Sequence, residues 1–400
     1  MHHPPAIVVG SGLSALGALR LLGRAGIPAY AFGRPQCEAY SRWYRPAPAM
    51  SLDQALPEHL ADYLASSPLE RAVLIPASDA AVDAIVELPP ALVQRFTASV
   101  CSRKTARHLT DKALFADVME QLAVPAPRTR RVDRIADLEA MPDDLFDGAF
   151  LKPTDSARFM ASYGVKGTFV SSRSDALCKA RRPLAEGHRL VLQEYVATTR
   201  PQTGDRRADH VLIDGFIDRL GNVTALFARR RLRMFPLDFG NSTHMVSIPT
   251  DSISQAADSL VRVARHLPCR GIVSGEFKED LRDGTYKLLE INARAWWMVE
   301  YAGRCGVDVC SMSYQDALEL PVEPVTSYRT GVRFFHAYYD YHAIRTHYRQ
   351  SQIGLMSAAR SWIGAQEAIF NWTDPLPLLI DTTTHWKARN RAAAQRKQSA

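Results

Sequence analysis

The chain has 400 residues, 46% hydrophobic and 23% charged, with a formal net charge of +7. That balance excludes disorder, collagen and coiled coil as the main architecture, and the length calls for two or three domains. No apolar run reaches the ~20 residues that cross a bilayer, and no basic-flanked apolar segment opens the chain, so neither a membrane partner nor a signal peptide is expected. The 6 cysteines are scattered without zinc-ligand spacing, which sets a reduced, cytoplasmic compartment as the expectation. Arginine clusters at 229–233 and a basic tail at 387–397 are not interleaved with aromatics. They favour anionic small substrates over nucleic acid.

In chain order, Ala6–Val9 is a short apolar strand, Gly10-Ser11-Gly12 a turn, Ser14–Arg24 a helix and Pro28–Phe32 a second strand. This βαβ opening, with a strand at Ala72–Pro76 running into a Ser78-Asp79 helix cap, predicts a small doubly wound α/β domain over residues 1–110. Thr110-Asp111 caps a helix over Lys112–Leu122, which stops before Val124-Pro125-Ala126-Pro127. A strand ending at Lys152-Pro153 is followed by a polar loop over 154–167, a strand at 168–171, a helix near 174–181 and a strand over 189–196. Residues 197–210 read as a mobile loop, 211–230 as alternating strands, 254–267 as a helix and 272–292 as a strand pair. The last ~75 residues read as mixed elements with a frayed basic tail.

The strand pair carries the strongest chemical signal. Arg282-Asp283-Gly284 suits a three-residue hairpin loop pairing Leu281 with Thr285. Counting outward sets Glu276 opposite Glu290, with Asn292 on the same face and Phe277 and Leu289 on the other. Facing carboxylates repel unless a cation lies between them. Two carboxylates and an amide oxygen are hard ligands, suited to Mg²⁺ holding nucleotide phosphates. Arg294 follows by two residues and should share that face, where a guanidinium can hold a phosphoryl group or a carboxylate. Alternation places Arg229, Arg231 and Arg233 together on one strand face.

These residues resemble the ATP-grasp superfamily. Gly275-Glu276-Phe277, then Leu289-Glu290-Ile291-Asn292-Ala293-Arg294, is similar to its metal-binding signature. Thr110-Asp111-Lys112 resembles the segment bearing its first nucleotide lysine, and Phe150-Leu151-Lys152-Pro153 the strand bearing its second. Gln193-Glu194-Tyr195-Val196 resembles the linker whose backbone meets adenine. The order agrees over about residues 6–320.

The resemblance implies a Rossmann-like pre-ATP-grasp domain (1–110), a small subdomain (111–192), a large subdomain (193–325) and a C-terminal extension (326–400). It implies ATP and Mg²⁺ (or Mn²⁺) as cofactors. Lys112, Lys152, Lys166 and residues 193–196 would meet the nucleotide, and Glu276, Glu290 and Asn292 the metal. Arg231, Arg233 and Arg294 would act at the reacting groups, with Ser11, Gly12, Ser78 and Asp79 on the substrate side.

Within the superfamily the chain is most similar to carboxylate–amine ligases of the D-aspartate-ligase-like type. The features are Lys152–Ser156 with Lys166-Gly167, Arg231–Gly240 and the motif Asn371-Trp372-Thr373-Asp374-Pro375-Leu376-Pro377. The implied partners are amino-acid-like acids and amines, in an assembly that is often a dimer. It departs from the family in lacking a glycine run in the phosphate loop and in having Ala295-Trp296-Trp297 after the arginine, which leaves substrate identity open.

Two other readings stay open on the residues. Gly10-Ser11-Gly12 with Arg34 permits an NADP-dependent oxidoreductase, and the lysines permit a non-catalytic ATP-binding module. Trp296-Trp297 is expected in the core. The 12 histidines show no ligand spacing, and His244 is expected to be structural.

Overall fold

The computed structural model describes residues 3–154, 156–165, 167–196, 209–236, 240–349 and 354–385. Lys166, most of the expected mobile loop (197–208) and the basic tail lie outside the described residues.

The first sheet is parallel, with strands β1 (Ala6–Val9), β2 (Ala29–Phe32), β3 (Ala72–Pro76) and β4 (Phe96–Ala98) in the order β2-β1-β3-β4. Its apolar strands are buried on both faces, as a parallel sheet between helices requires. The ends of β1 and β3 bring Ser11 and Ser78 to one edge, the usual ligand edge of an open α/β sheet. Ser78 caps the helix Asp79–Val86, its Oγ accepting from the Ala81 amide at 3.1 Å.

The second sheet is antiparallel: β5 (Thr129–Val132), β6 (Ala149–Pro153), β7 (Thr168–Val170) and β8 (Leu190–Glu194), ordered β5-β8-β6-β7. The expected polar loop after β6 contains a helix, Ser156–Tyr163. The loop reading missed a one-turn aromatic pair: Phe159 is buried and stacks on Tyr163 with centroids 4.5 Å apart. A further helix, Arg103–Thr110, precedes the expected one at Lys112–Gln121.

The third sheet has seven strands: β9 (His210–Ile217), β10 (Val223–Phe235), β11 (Asn241–Ile248), β12 (Gly271–Glu279), β13 (Tyr286–Asn292), β14 (Arg333–Phe335) and β15 (Gln366–Glu367). They run in the order β13-β12-β9-β10-β11-β14-β15, so the C-terminal extension supplies two strands of the sheet. One face carries Val211, Ile213, Val273 and Phe277 against the helix Ser254–His266. On the other face, Phe216, Phe227 and Ile272 pack in a core shared with the helices Gly12–Arg24 and Val299–Cys305. Moving along the strands on that same face, the side chains change to Asp214, Arg229 and Ser274, then to His210, Arg231 and Glu276. Gly271 opens β12 at φ +88°, and a Cβ there would sit 2.1 Å from the Ser99 carbonyl oxygen, so only glycine fits.

The C-terminal extension is anchored through a buried arginine. Arg20, fully buried, donates to Asp374 Oδ2 and Glu300 Oε2, each at 2.9 Å, and to the Ile369 and Asp374 carbonyls. Asp374 also accepts from the Ser41 hydroxyl at 2.6 Å and the Arg42 amide at 2.8 Å. The Asn371–Pro377 motif therefore locks the extension onto the first domain. Trp296 is buried in the core, as expected.

Candidate active site

Glu276 and Glu290 are direct partners across the β12–β13 ladder, and Asn292 follows opposite Ser274. The turn is one residue longer than expected, with Asp280 rather than Leu281 facing Thr285: the Asp280 amide donates to the Thr285 carbonyl at 2.7 Å. A bulge at Leu289 restores the count, because Phe277 pairs with Leu288 and Glu276 with Glu290. Phe277 and Leu288 are fully buried together, in place of the expected Phe277 and Leu289.

Glu276 is held from the neighbouring strands. Arg231 Nη2 donates to its Oε1 at 3.0 Å, and His210 Nε2 lies 2.6 Å from the same oxygen. Both contacts keep Glu276 ionised, well below the usual carboxylate range, against the opposing effect of burial. Arg231 Nη1 also meets His210 Nδ1 at 2.7 Å. An arginine only donates, so Nδ1 is the acceptor and the imidazole proton sits on Nε2. Burial, with the Arg231 charge adding to it, pushes His210 down to about 4, so it is neutral at working pH. Sequence reading missed His210 because it was assigned to the loop. Its alternation with Leu212 and Asp214 was the available signal.

Glu290 is exposed, and its Oε1 accepts from Asn292 Nδ2 at 3.2 Å. The two carboxylates and the amide oxygen form a hard, oxygen-rich donor set on one edge, chemically suited to Mg²⁺. Arg294 continues from it: Nη2 donates to Asn292 Oδ1 at 3.3 Å, and the guanidinium is bidentate to Asp79 at 2.7 and 3.0 Å. That pair, with the Ala295 amide donating to the Pro76 carbonyl at 3.0 Å, joins the hairpin to the ligand edge of the first sheet. Ser11 lies at the same edge and receives Gln36 Nε2 at 3.4 Å, beside Gly12 at φ +70°.

The lysines approach from the second sheet. Lys152 Nζ donates to Gln193 Oε1 at 2.7 Å, and Gln193 Nε2 donates to Thr129 Oγ1 at 3.0 Å, so Gln193 aims the ammonium. Burial, with the nearby Lys112 charge next, pulls Lys152 from 10.5 down to about 8, while Glu290 and Glu276 act the other way. These influences place Lys112, Lys152 and the two carboxylates in one electrostatic neighbourhood. Because the unfolded chain binds more protons between about 8 and 10.5, the unliganded fold should gain stability as pH rises through that window. A phosphate group held by Lys152 needs the charged ammonium, so affinity for a phosphate ligand such as ATP at this site should fall over the same interval. Titration calorimetry at pH 7, 8 and 9 checks this, and Lys152→Met should flatten the dependence.

The linker is pinned rather than loose. Glu194 accepts from the Arg128 amide at 3.0 Å and Lys287 Nζ at 3.1 Å, and pairs with Arg282, so its carboxylate clamps the second sheet to the third. Lys278 donates to the Val196 carbonyl and lies 4.6 Å from the Tyr195 ring centroid. Tyr195 meets Phe150 and Phe169 at 6.0 and 5.0 Å, giving an aromatic wall beside Lys152.

Arg233 is not part of this group. A bulge between Arg231 and Arg233 breaks the expected alternation: Arg231 pairs with Met245 but Arg233 with the adjacent His244, so Arg233 turns to the opposite face. There its buried guanidinium is bidentate to Asp340 at 2.8 and 2.5 Å, beside the same histidine. His244 is fully buried in that cluster, as expected of a structural residue.

No family model matches the chain, and no curated protein matches it. Solved structures do. A biotin carboxylase from Campylobacter jejuni in complex with β,γ-ATP superposes with a TM-score of 0.60 at 14% identity, over 82% of this chain and 74% of that one. An ADP complex of N5-carboxyaminoimidazole ribonucleotide synthetase gives 0.60 at 15%, over 87% and 86%. An L-amino acid ligase from Bacillus licheniformis gives 0.53 at 14%, over 81% and 78%. Three sheets in this order, with the paired carboxylates on the hairpin of the largest, superposed over most of the chain on such structures, show that the chain has the ATP-grasp fold.

Proposed function

We propose that the protein is an ATP-dependent ligase that joins a carboxylate to an amine and releases ADP and phosphate. The observation that carries this reading is the Glu276–Glu290 pair with Asn292 beside it, facing Lys152 and Lys112 and continuing into Arg294. An oxidoreductase needs none of these groups together.

In this reading Lys112 and Lys152 hold ATP phosphates, and the 193–196 linker with the Phe150–Phe169–Tyr195 wall frames adenine. Glu276, Glu290 and Asn292 would hold Mg²⁺, which when bound would supply charge neutralisation for the transferring phosphoryl group. A carboxylate oxygen of the acid attacks the γ-phosphorus, the bond to the β–γ bridging oxygen breaks, and ADP leaves. The amine nitrogen then attacks the acyl carbon, phosphate departs, and the amine loses a proton. Water must be kept out, because the acylphosphate hydrolyses. The helix Ser156–Tyr163 after β6 is a candidate cover, and the other segment expected to cover the site, 197–210, lies mostly outside the described residues. Arg231 and the neutral His210 keep Glu276 ionised and fixed in rotamer, a positioning role.

Arg294 is the residue best placed to turn from Asp79 to an incoming carboxylate or the moving phosphoryl group. Its contribution should grow toward the transition state, so Arg294→Lys should lower kcat by about 10²-fold or more with little change in ATP affinity. Lysine keeps the charge but loses the planar fork. Steady-state kinetics beside ATP titration separate the effects: equal losses in affinity and turnover would assign Arg294 to ground-state binding. Hydroxylamine should trap the intermediate as a hydroxamate when acid and ATP are supplied without amine.

A further inference from the structure

A second cluster lies away from these carboxylates, where the C-terminal extension meets the segment after Arg294. Its members are His336, at the start of the helix Ala337–Arg349, and Asp381 and His385, one turn apart on the helix over residues 376–385. Their ligand-type atoms lie within 4.8 Å of one another. His336 Nε2 is 3.5 Å from Asp381 Oδ2, and His385 Nε2 is 3.5 Å from Asp381 Oδ1.

His336 is 1% exposed, and neither ring nitrogen has a hydrogen-bond partner among the described residues; buried Asp381 Oδ2 has none either. Buried polar atoms left unsatisfied are costly, so a buried cluster of this kind needs an account. Rings close the site: Trp297 stacks on His336 at 5.6 Å, and Tyr338 stacks on His385 at 4.5 Å.

We propose that His336, Asp381 and His385 bind a divalent transition metal ion of the zinc class. Two imidazoles and a carboxylate are a common zinc donor set, and nitrogen ligands disfavour Mg²⁺ and Ca²⁺. With metal–ligand bonds of about 2.0–2.1 Å, neighbouring ligands of a tetrahedral ion stand about 3.3 Å apart. Here each imidazole is 3.5 Å from a different Asp381 oxygen and one atom from each residue lies within 4.8 Å of the others, so the three close in slightly around the ion. Three protein ligands leave a fourth position for water or a small anion. The ion would tie the helix over residues 376–385 to His336 and, through the ring stacked on it, to Trp297, three residues beyond Arg294. This site is independent of the ligase reading.

The test uses the full chain, stripped with chelator and dialysed against Zn²⁺, with metal content read by elemental analysis and geometry by Co²⁺ absorption. One Zn²⁺ per chain, a tetrahedral Co²⁺ spectrum and a higher melting temperature are expected. His385→Gln and Asp381→Asn change partly exposed side chains and should weaken Zn²⁺ by more than about 10-fold while keeping the Mg-ATP melting shift. His336→Gln should do the same, but its burial makes it the variant more prone to misfold. No stoichiometric Zn²⁺ in the wild-type chain, or undiminished Zn²⁺ in the folded His385 and Asp381 variants, would overturn the assignment. Zn²⁺ bound here in a chain with no Mg-ATP shift would uphold this site and remove the ligase reading alone.

Discussion

Glu290→Gln should abolish ATP turnover, by about 10³-fold or more, while leaving the fold intact. The side chain is exposed and stands opposite Glu276 across the ladder, where like charges repel, and the Lys152 and Arg231 charges only partly offset that repulsion. Replacing it with a neutral amide relieves like-charge repulsion, and the unliganded melting temperature should hold or rise slightly. What is lost is half of the carboxylate charge that draws Mg²⁺, and metal-derived stabilisation of phosphoryl transfer is worth several kcal/mol, each 1.36 kcal/mol being tenfold in rate. Glu290 is the cleaner probe of the pair. Glu276→Gln would strip the counter-charge from Arg231, which is buried beside it, and would confuse stability with metal binding. The measurements are turnover across a Mg²⁺ series and the Mg-ATP melting shift. Normal activity with unchanged Mg²⁺ dependence would contradict the metal assignment.

The largest effect on stability should come from Asp374→Ala. It leaves the fully buried Arg20 with one of its two carboxylate partners, and strips the Ser41 hydroxyl and Arg42 amide of their acceptor. Breaking a buried pair from one side costs about 3–5 kcal/mol, because the remaining charge stays desolvated. Thermal denaturation should show a fall of roughly 5 °C. Trp372→Ala, in the same motif but at a side chain 87% exposed, should change stability by no more than about 0.5 kcal/mol. Equal effects from the two would mean that the anchor is not the arginine network.

The facing carboxylates of the candidate site were legible from strand alternation, whereas the lysines and the linker came from the family resemblance, and the failures of alternation are local. The facing pair Glu276–Glu290 came from an idealised turn that the chain does not form. The real turn is longer, and the bulge at Leu289 cancels the difference before the carboxylates are reached. Turn length and bulge position depend on hydrogen bonds such as Asp280 to Thr285, which a residue count does not contain. Alternation also put Arg231 and Arg233 on one face, but a bulge between them sends Arg233 to the other side of the sheet: Arg231 meets Glu276, while Arg233 is taken by Asp340, more than a hundred residues later. The same distance hid the partner of Arg294: Asp79 and Arg294 were each singled out, but their pairing arises only when the hairpin docks on the first sheet. Spacing rules likewise passed over His336, Asp381 and His385, since only the last two are near in sequence.

Product identity tests the central claim most directly. The chain is incubated with Mg-ATP and pooled amino acids and small carboxylic acids, nucleotides are resolved by chromatography, and new masses are sought. Formation of ADP and phosphate in step with a product whose mass is acid plus amine less one water is the predicted result. Release of AMP and pyrophosphate, or no nucleotide turnover alongside hydride transfer to NADP, would contradict it.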